Sequence, residues 1–451
     1  MEAEGARTLK RSLSLADLLI YGLVFIGPTA PMSVFGIVFN RSHAMVPLVY
    51  LVGLAAMIFT ALSYMKMARL YPVAGSAYAY ASRTMGSAVG FIAGWAMLLD
   101  YLLIPALANI VCVIAIQAML PGLPWWLLIP GLLAFTTIVN LLGIETTARA
   151  SIFLLILQAI VLVAFSGSAL LALARGEAHL SLAPLLDPAA FSASAILGAA
   201  SVGILSFLGF DAISTLSEEA KDGASSIARA TMLTLCVAAG LFVFQTWLAS
   251  LFVPGHAAFP EKEAEGAFYA IAGHAGGPWL KFLVAVPGVL LGAIAGSLTG
   301  QTATARLVFG MARDGRLPRG LAHLNAKRLV PDRAILLVGA ITLAIGVAVH
   351  SLDLLSSIVC FGALVGFALV NASVVVHVWR TRGASEPLGF VPPALGLAVT
   401  LGVLFNTSLH ARIAGLAWIA IGAVYFLIVR PPPLAEAIIA DVEPIGTMVP
   451  D

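Results

Sequence analysis

Three carboxylates within a short stretch carry the first chemical lead. Residues 206–219 read S-F-L-G-F-D-A-I-S-T-L-S-E-E, placing Asp211 beside Gly209 and Phe210, with Glu218 and Glu219 seven and eight residues further on. The run 191–216 is otherwise long and apolar enough to cross a bilayer, and a carboxylate at mid-membrane depth costs roughly 3 kcal/mol or more. An acid kept there can meet a cationic group or hold a proton. The second lead is G-P-T-A-P at 27–31, in the middle of the first apolar run. Its prolines remove backbone donors and leave carbonyl oxygens without intrahelical partners. Such backbone is tolerated at that depth only where it is buried in protein or lines a cavity.

The elements that must position these groups follow from composition. With 61% hydrophobic and 10% charged residues and a mean hydropathy of +1.02, the chain is expected to be an all-α polytopic membrane protein. A net charge of +2 and no dense basic run point away from nucleic acid, leaving a small-molecule substrate and the lipid bilayer as expected partners. Oligomeric state is not legible. Cys112, Cys236 and Cys360 lie far apart in apolar spans with no metal-binding spacing, so they read as small core hydrophobes and no metal is expected.

At about 20 apolar residues per crossing, twelve spans are predicted: 15–38, 46–65, 88–120, 124–142, 148–172, 191–216, 227–253, 279–307, 334–350, 354–378, 391–407 and 413–429. No small-residue cleavage site follows Lys10 and Arg11, so no removable signal peptide is expected. Placing the N-terminus in the cytoplasm puts nineteen Lys and Arg on that side, against Arg41, Arg175, Lys262, Lys281 and Arg412 on the other. That bias predicts a multi-pass cell-membrane protein with both termini cytoplasmic.

The two interruptions fall in the first and sixth spans, the opening members of two sets of five. Matched breaks of this kind mark an inverted-repeat transporter with its site at the midplane. The corresponding layout is a cytoplasmic segment 1–13, a permease domain 14–430 and a cytoplasmic tail 431–451. The domain comprises a first repeat 14–175, a second repeat 191–380 and two further helices over 389–430.

The chain also carries motifs that resemble a known family. Tyr71-Pro72-Val73-Ala74-Gly75-Ser76-Ala77-Tyr78-Ala79-Tyr80, followed by Gly86, Gly90 and Gly94-Trp95, is similar to a signature of the amino acid-polyamine-organocation (APC) permeases. Gly209-Phe210-Asp211 with Glu218-Glu219 resembles that superfamily's sixth-helix pattern, and 312–318, A-R-D-G-R-L-P, resembles its loop after the eighth span. Within the superfamily, L-K-R-S-L-S-L-A-D at 9–17, L-L-D-Y at 98–101 and the 206–219 stretch resemble bacterial putrescine importers. The resemblance implies a leucine-transporter-type 5+5 fold, alternating access, a substrate-site tyrosine at Tyr101, and a loop contact at Arg313 and Asp314 that constrains conformational change.

Substrate chemistry can be weighed separately. Amino acid carriers of this superfamily usually offer a substrate carboxylate the free N–H groups of a glycine-rich first-helix break. Here Pro28 and Pro31 have no N–H to offer, although Thr29 and Ala30 still do. The expected substrate is therefore a small amine such as putrescine, with an α-amino acid as the alternative. The expected substrate site comprises Gly27, Pro28, Thr29, Ala30, Tyr101, Ser206, Phe207, Gly209 and Asp211. Glu218 and Glu219 lie about 11 Å beyond Asp211 on a helix, where they could serve a second ammonium or begin a solvated loop.

Proton-coupled members often carry a lysine in the fifth helix, where this chain has Gln158. That leaves Asp211, Glu218 and Glu219 as the titratable coupling candidates, with H+ the expected ion; a sodium site built from carbonyls and hydroxyls is the alternative. No catalytic residue, cofactor or enzyme activity is expected, since no HExxH or GxSxG occurs. A proton-translocating subunit of a membrane complex is the rival class, but no lysine stands in mid-span.

Overall fold

The computed structural model describes residues 11–73, 75–119, 122–253, 258–264, 266–348, 352–382, 389–407 and 409–429. The expected N-terminal segment up to residue 10, Ala74, Leu120 at the end of the third expected span, His350 at the end of the ninth, and the expected tail 431–451 lie outside the described residues.

In chain order the α-helices are α1 (Leu15–Ile26), α2 (Ala30–Arg41), α3 (Val46–Leu70), α4 (Ser76–Met85), α5 (Ser87–Met119), α6 (Trp125–Leu141), α7 (Ile144–Ala174), α8 (Ala193–Gly203) and α9 (Ala224–Ser250). They continue with α10 (Glu261–Ala264), α11 (Ala267–Gly276), α12 (Pro278–Ala285), α13 (Pro287–Arg313), α14 (Asp332–Ala348), α15 (Leu352–Arg382), α16 (Val391–Phe405) and α17 (Leu409–Val429). Among the described residues the only strand-like pairing is an isolated parallel bridge between Leu13 and Ala220. Among the described residues, seven stretches are long and apolar enough to cross a membrane, or nine if each of two bent pairs is one span. α6, α14 and α16 are shorter, at 17, 17 and 15 residues.

Local chemistry explains both bent pairs. Ser14 caps α1 in a reciprocal box with Asp17, satisfying donors that the first turn leaves free. α1 stops at Gly27, whose φ of +76° suits glycine; Pro28 follows, and α2 restarts with Pro31 in its first turn. The axes of α1 and α2 differ by 46°. In the second pair, α8 gives way to two 3-10 segments, Ile204–Phe207 and Phe210–Leu216, separated by Leu208 and Gly209. Side-chain hydroxyls favour the tighter winding there. Ser214, Thr215 and Ser217 each donate at 2.6 Å to the carbonyl three residues earlier, the spacing of a 3-10 turn.

Three short helices, α4, α10 and α11, lie outside the predicted spans. α4 contains the second half, 76–80, of the tyrosine-rich stretch and is largely buried. α4 folds back onto α5 at Gly90, where an added Cβ would fall 2.5 Å from Ser82 Cα. The predicted eighth span is interrupted at Val286, between α12 and α13.

Packing separates an inner set from an outer set. α3 lies along α9, and α5 lies along α13 and α15. By contrast α7 exposes Phe153, Ile156, Ile160 and Val163, and α17 exposes Ile413, Leu416, Leu427 and Ile428. Apolar surface of that extent belongs against hydrocarbon rather than water. Cys112 and Cys360 are buried as expected, but Cys236 is exposed on α9; its apolar setting is the outside of the bundle.

The α4–α5 contact can be tested by size alone. Gly90→Val should lower the melting temperature of the detergent-solubilised protein by several degrees, the scale of an overpacking cost of about 1–3 kcal/mol. Gly131→Ala on α6, with open space around it, should melt as the parent does.

Candidate functional site

Asp211 is fully buried in the segment Phe210–Leu216. Its Oδ2 accepts a hydrogen bond from the Tyr101 hydroxyl, while Oδ1 has no hydrogen-bond partner among the described residues. Tyr101 is held from α5 for a local reason. Pro105, four residues on, cannot donate to the Tyr101 carbonyl, and Thr304 Oγ1 of α13 reaches that oxygen at 2.7 Å. Gly300 makes room, since a Cβ there would sit 3.1 Å from the Pro105 ring. A proline and a threonine on facing helices thus hold the phenol that meets Asp211.

Gly209 lies beside them with φ +111°. Its missing side chain is what admits the Phe25 ring, which lies against it and packs edge-on to Tyr101 with centroids 6.1 Å apart. On its other side Phe25 lines a cavity of about 270 Å³, together with Gly27, Thr29, Ala30, Ile104, Tyr269 and Gly292 among others. Phe25 therefore stands between the cavity and Asp211. Sequence reasoning missed this residue; the available signal was an aromatic side chain two positions before the first-span glycine.

The expected site residues divide into two groups. Gly27, Thr29 and Ala30 line the cavity, while Tyr101, Gly209 and Asp211 lie behind Phe25. Pro28 presents its carbonyl to Gln245 Nε2 at 2.8 Å. Ala30 N donates to Gly27 O at 2.8 Å and Gly27 N to Leu23 O at 2.9 Å, so much of the first break is internally satisfied. Ser206 Oγ lies 3.2 Å from the Tyr50 hydroxyl. Phe207 packs against Tyr50 and Phe242, and Phe210 against Tyr64 and Phe367, both within the core. Gln158 is buried on α7 with neither amide atom hydrogen-bonded among the described residues.

The two glutamates are both engaged by arginines. Glu219 is fully buried and takes Arg306 in a fork, Nε to Oε2 at 2.5 Å and Nη2 to Oε1 at 2.7 Å. Its backbone carbonyl accepts from Ser12 N and Leu13 N, both at 3.0 Å, and Lys221 N returns to Leu13 O at 2.8 Å. Arg313 Nη1 lies 2.8 and 2.9 Å from the two oxygens of the partly exposed Glu218. Tyr78 donates to Asp314 Oδ2 at 2.8 Å, and the Ser214 and Ser76 hydroxyl oxygens lie 2.8 Å apart. All three sequence motifs therefore meet at the end of the bundle that holds the described N-terminal residues. Sequence reasoning passed over Arg306, although a guanidinium at the end of the apolar run 279–307 was the signal.

These features define a polytopic membrane protein with two bent helix pairs, the first of which lines a small cavity. The amino acid permease family model matches residues 18–432, and the chain belongs to that family. It is 32% identical over 435 residues to the low-affinity putrescine importer PlaP of Escherichia coli K12, covering 92% of this chain and 93% of that protein. It is 27% identical over 453 residues to the branched-chain amino acid permease BcaP of Bacillus subtilis, covering 94% of each. Cationic amino acid transporter 4 of Mus musculus is 27% identical over 403 residues, covering 86% of this chain and 62% of that protein. The chain is thus a membrane permease and not an enzyme.

A buried ion pair that loses one member leaves an uncompensated charge, at a cost of about 3–5 kcal/mol. Arg306→Leu should therefore lower thermal stability sharply, and the double variant Arg306→Leu/Glu219→Gln should recover much of the loss in a fluorescence melting assay.

Proposed function

We propose that the chain is a secondary active transporter that imports a small amine such as putrescine across the cell membrane by proton symport. It works by alternating access through twelve spans, the first ten forming a 5+5 inverted repeat. Three packing relations support that repeat: the second span α3 lies on the seventh, α9; the third, α5, lies on the eighth, α13; and the broken first span touches the broken sixth.

The observation that carries the substrate reading is Asp211, a buried carboxylate whose partner is a phenol rather than a cation. Its free oxygen can accept from an ammonium group once Phe25 moves. The first break supports the same sign of charge: Pro28 and Pro31 lack N–H groups, and Ala30 N is already bonded to Gly27 O, which leaves a poor seat for a carboxylate. The name of the putrescine importer PlaP agrees with an amine, and those of BcaP and cationic amino acid transporter 4 keep an α-amino acid as the second reading.

With both termini cytoplasmic, the Glu219–Arg306 and Glu218–Arg313 pairs and the Ser12–Leu13 strap close the inner end. The cavity behind Gly27 and Thr29 then belongs to the outer half. Opening inward requires these contacts to separate, and the arginines keep Glu218 and Glu219 away from the substrate in this state.

Uptake of radiolabelled putrescine, arginine and leucine into proteoliposomes, with and without a pH gradient, tests the substrate and the ion. Putrescine should accumulate when the outside is acidic; selective uptake of leucine would transfer the reading to amino acids, and dependence on sodium with indifference to a protonophore would replace the proton. Tyr101→Phe should raise the KM about tenfold, as expected for losing a hydrogen bond to a charged group. Asp211→Asn should abolish saturable uptake.

A further inference from the structure

With Glu218 and Glu219 both held by arginines, another acid inside the bundle has no assigned work. Asp100 on α5 is fully buried, and neither of its carboxylate oxygens has a hydrogen-bond partner among the described residues. It immediately precedes Tyr101, the residue that binds Asp211, and the two acids lie within electrostatic reach of one another. Tyr64 from α3, Tyr101 from α5 and Cys360 from α15 are the other titratable groups that feel its charge. From α4, Tyr80 stacks edge-on to Tyr64 at 6.0 Å, and neither hydroxyl has a hydrogen-bond partner among the described residues. On α13, Arg306 is committed to Glu219. Among the described residues, no cation acts on Asp100.

An ionised carboxylate cannot be kept in apolar surroundings without a donor or a cation. Two adjacent carboxylates in one such site cannot both ionise without an added cost. Space decides what neutralises Asp100. Gly362 brings α15 so close that a Cβ there would fall 2.8 Å from Asp100 N, and Asp100 does not line the cavity. A proton fits there and a diamine does not.

We propose that Asp100 carries the co-transported proton. Asp211 stays ionised through the cycle; when the Asp100 carboxylate binds a proton from the outer solution, the like charge facing Asp211 is removed, and Asp211 holds the substrate ammonium. After the inner end opens, the ammonium leaves and Asp100 returns its proton to the inner solution. Only an O–H bond forms and breaks. Proton and substrate thus favour each other's binding, which is the sign that symport requires.

The proposal rests on the transport reading above, and the test separates the two. The full chain is reconstituted, and putrescine, arginine or leucine, whichever the uptake panel selects, is followed in two modes: accumulation driven by a pH gradient, and counterflow without one. Asp100→Asn, a permanently neutral side chain, should lose gradient-driven accumulation by about tenfold or more, a usual size for a coupling between two sites. Its counterflow should persist, and its substrate affinity should no longer weaken as pH rises. Asp100→Glu should restore part of both pH-dependent properties, and the substrate-free parent should show a protonated-carboxyl infrared band that Asp100→Asn lacks. Accumulation by Asp100→Asn equal to that of the parent would overturn the proposal. So would a folded Asp100→Asn protein that loses counterflow and binding together, which would make Asp100 part of the ligand grip. Counterflow by the parent with no response to a pH gradient would overturn the proton role and leave the transporter standing; no counterflow with any of the three compounds would remove both.

Discussion

The fork between Arg306 and Glu219 ties together parts of the chain that are far apart in sequence. Its guanidinium comes from α13 and its carboxylate from the turn after Phe210–Leu216, and the Glu219 backbone carbonyl receives Ser12 and Leu13 from the N-terminal strap. Neither charge could remain so deeply buried alone, because each would lack a compensating partner. The pair therefore fixes where the second broken span ends, where the chain enters the bundle, and how close α13 stands to both. Glu218–Arg313 and Tyr78–Asp314 extend the same closure toward its exposed edge. An end held by polar contacts can open if water replaces them, whereas one held by interdigitated apolar side chains would resist separation.

Between that closed end and the cavity, the molecule arranges exceptions to ordinary helix chemistry. Pro105 frees the carbonyl of Tyr101, and Thr304 takes it; Pro28 leaves a carbonyl in the first break, and Gln245 takes it. Gly209 adopts a backbone conformation that disfavours a side chain, and the vacated space admits Phe25. Each irregularity is matched by a partner from another helix, as it must be where water cannot supply one. Among the described residues, the polar atoms left without a partner include carboxylate oxygens of Asp211 and Asp100 and the hydroxyls of Tyr64 and Tyr80. A permease needs such a reserve: groups fully satisfied by the protein would have nothing to offer a substrate or a proton.

Family membership sets the general activity, while the chemistry of the two breaks narrows the ligand. Relatives with this degree of similarity include proteins named for a diamine, for branched-chain amino acids and for cationic amino acids. What distinguishes such ligands is whether an ammonium comes with a carboxylate. The proposed choice of the ligand without one rests on the first break, where two prolines and the Ala30 N–H already used leave a poor seat for a carboxylate.

Much of this was legible in the sequence. Hydropathy sufficed to locate the helical runs, because a helix satisfies its own backbone in lipid and so must be continuously apolar; glycine and proline marked both breaks, because their backbone limits are intrinsic. Asp211 and Tyr101 could be named from residue type, depth and resemblance. α4 was not legible as a helix, since its burial depends on Gly90 admitting Ser82 from outside its own periodicity. Nor could the chain alone show that Glu219 and Glu218 belong to arginines 87 and 95 residues away, or that Phe25 separates the cavity from Asp211. The sequence by itself determined the solvent, the long apolar helices and the two interruptions, all of which follow from local composition. Only the tertiary structure decided which charges are paired and which remain available, because Coulombic and hydrogen-bond partners are chosen by distance in space.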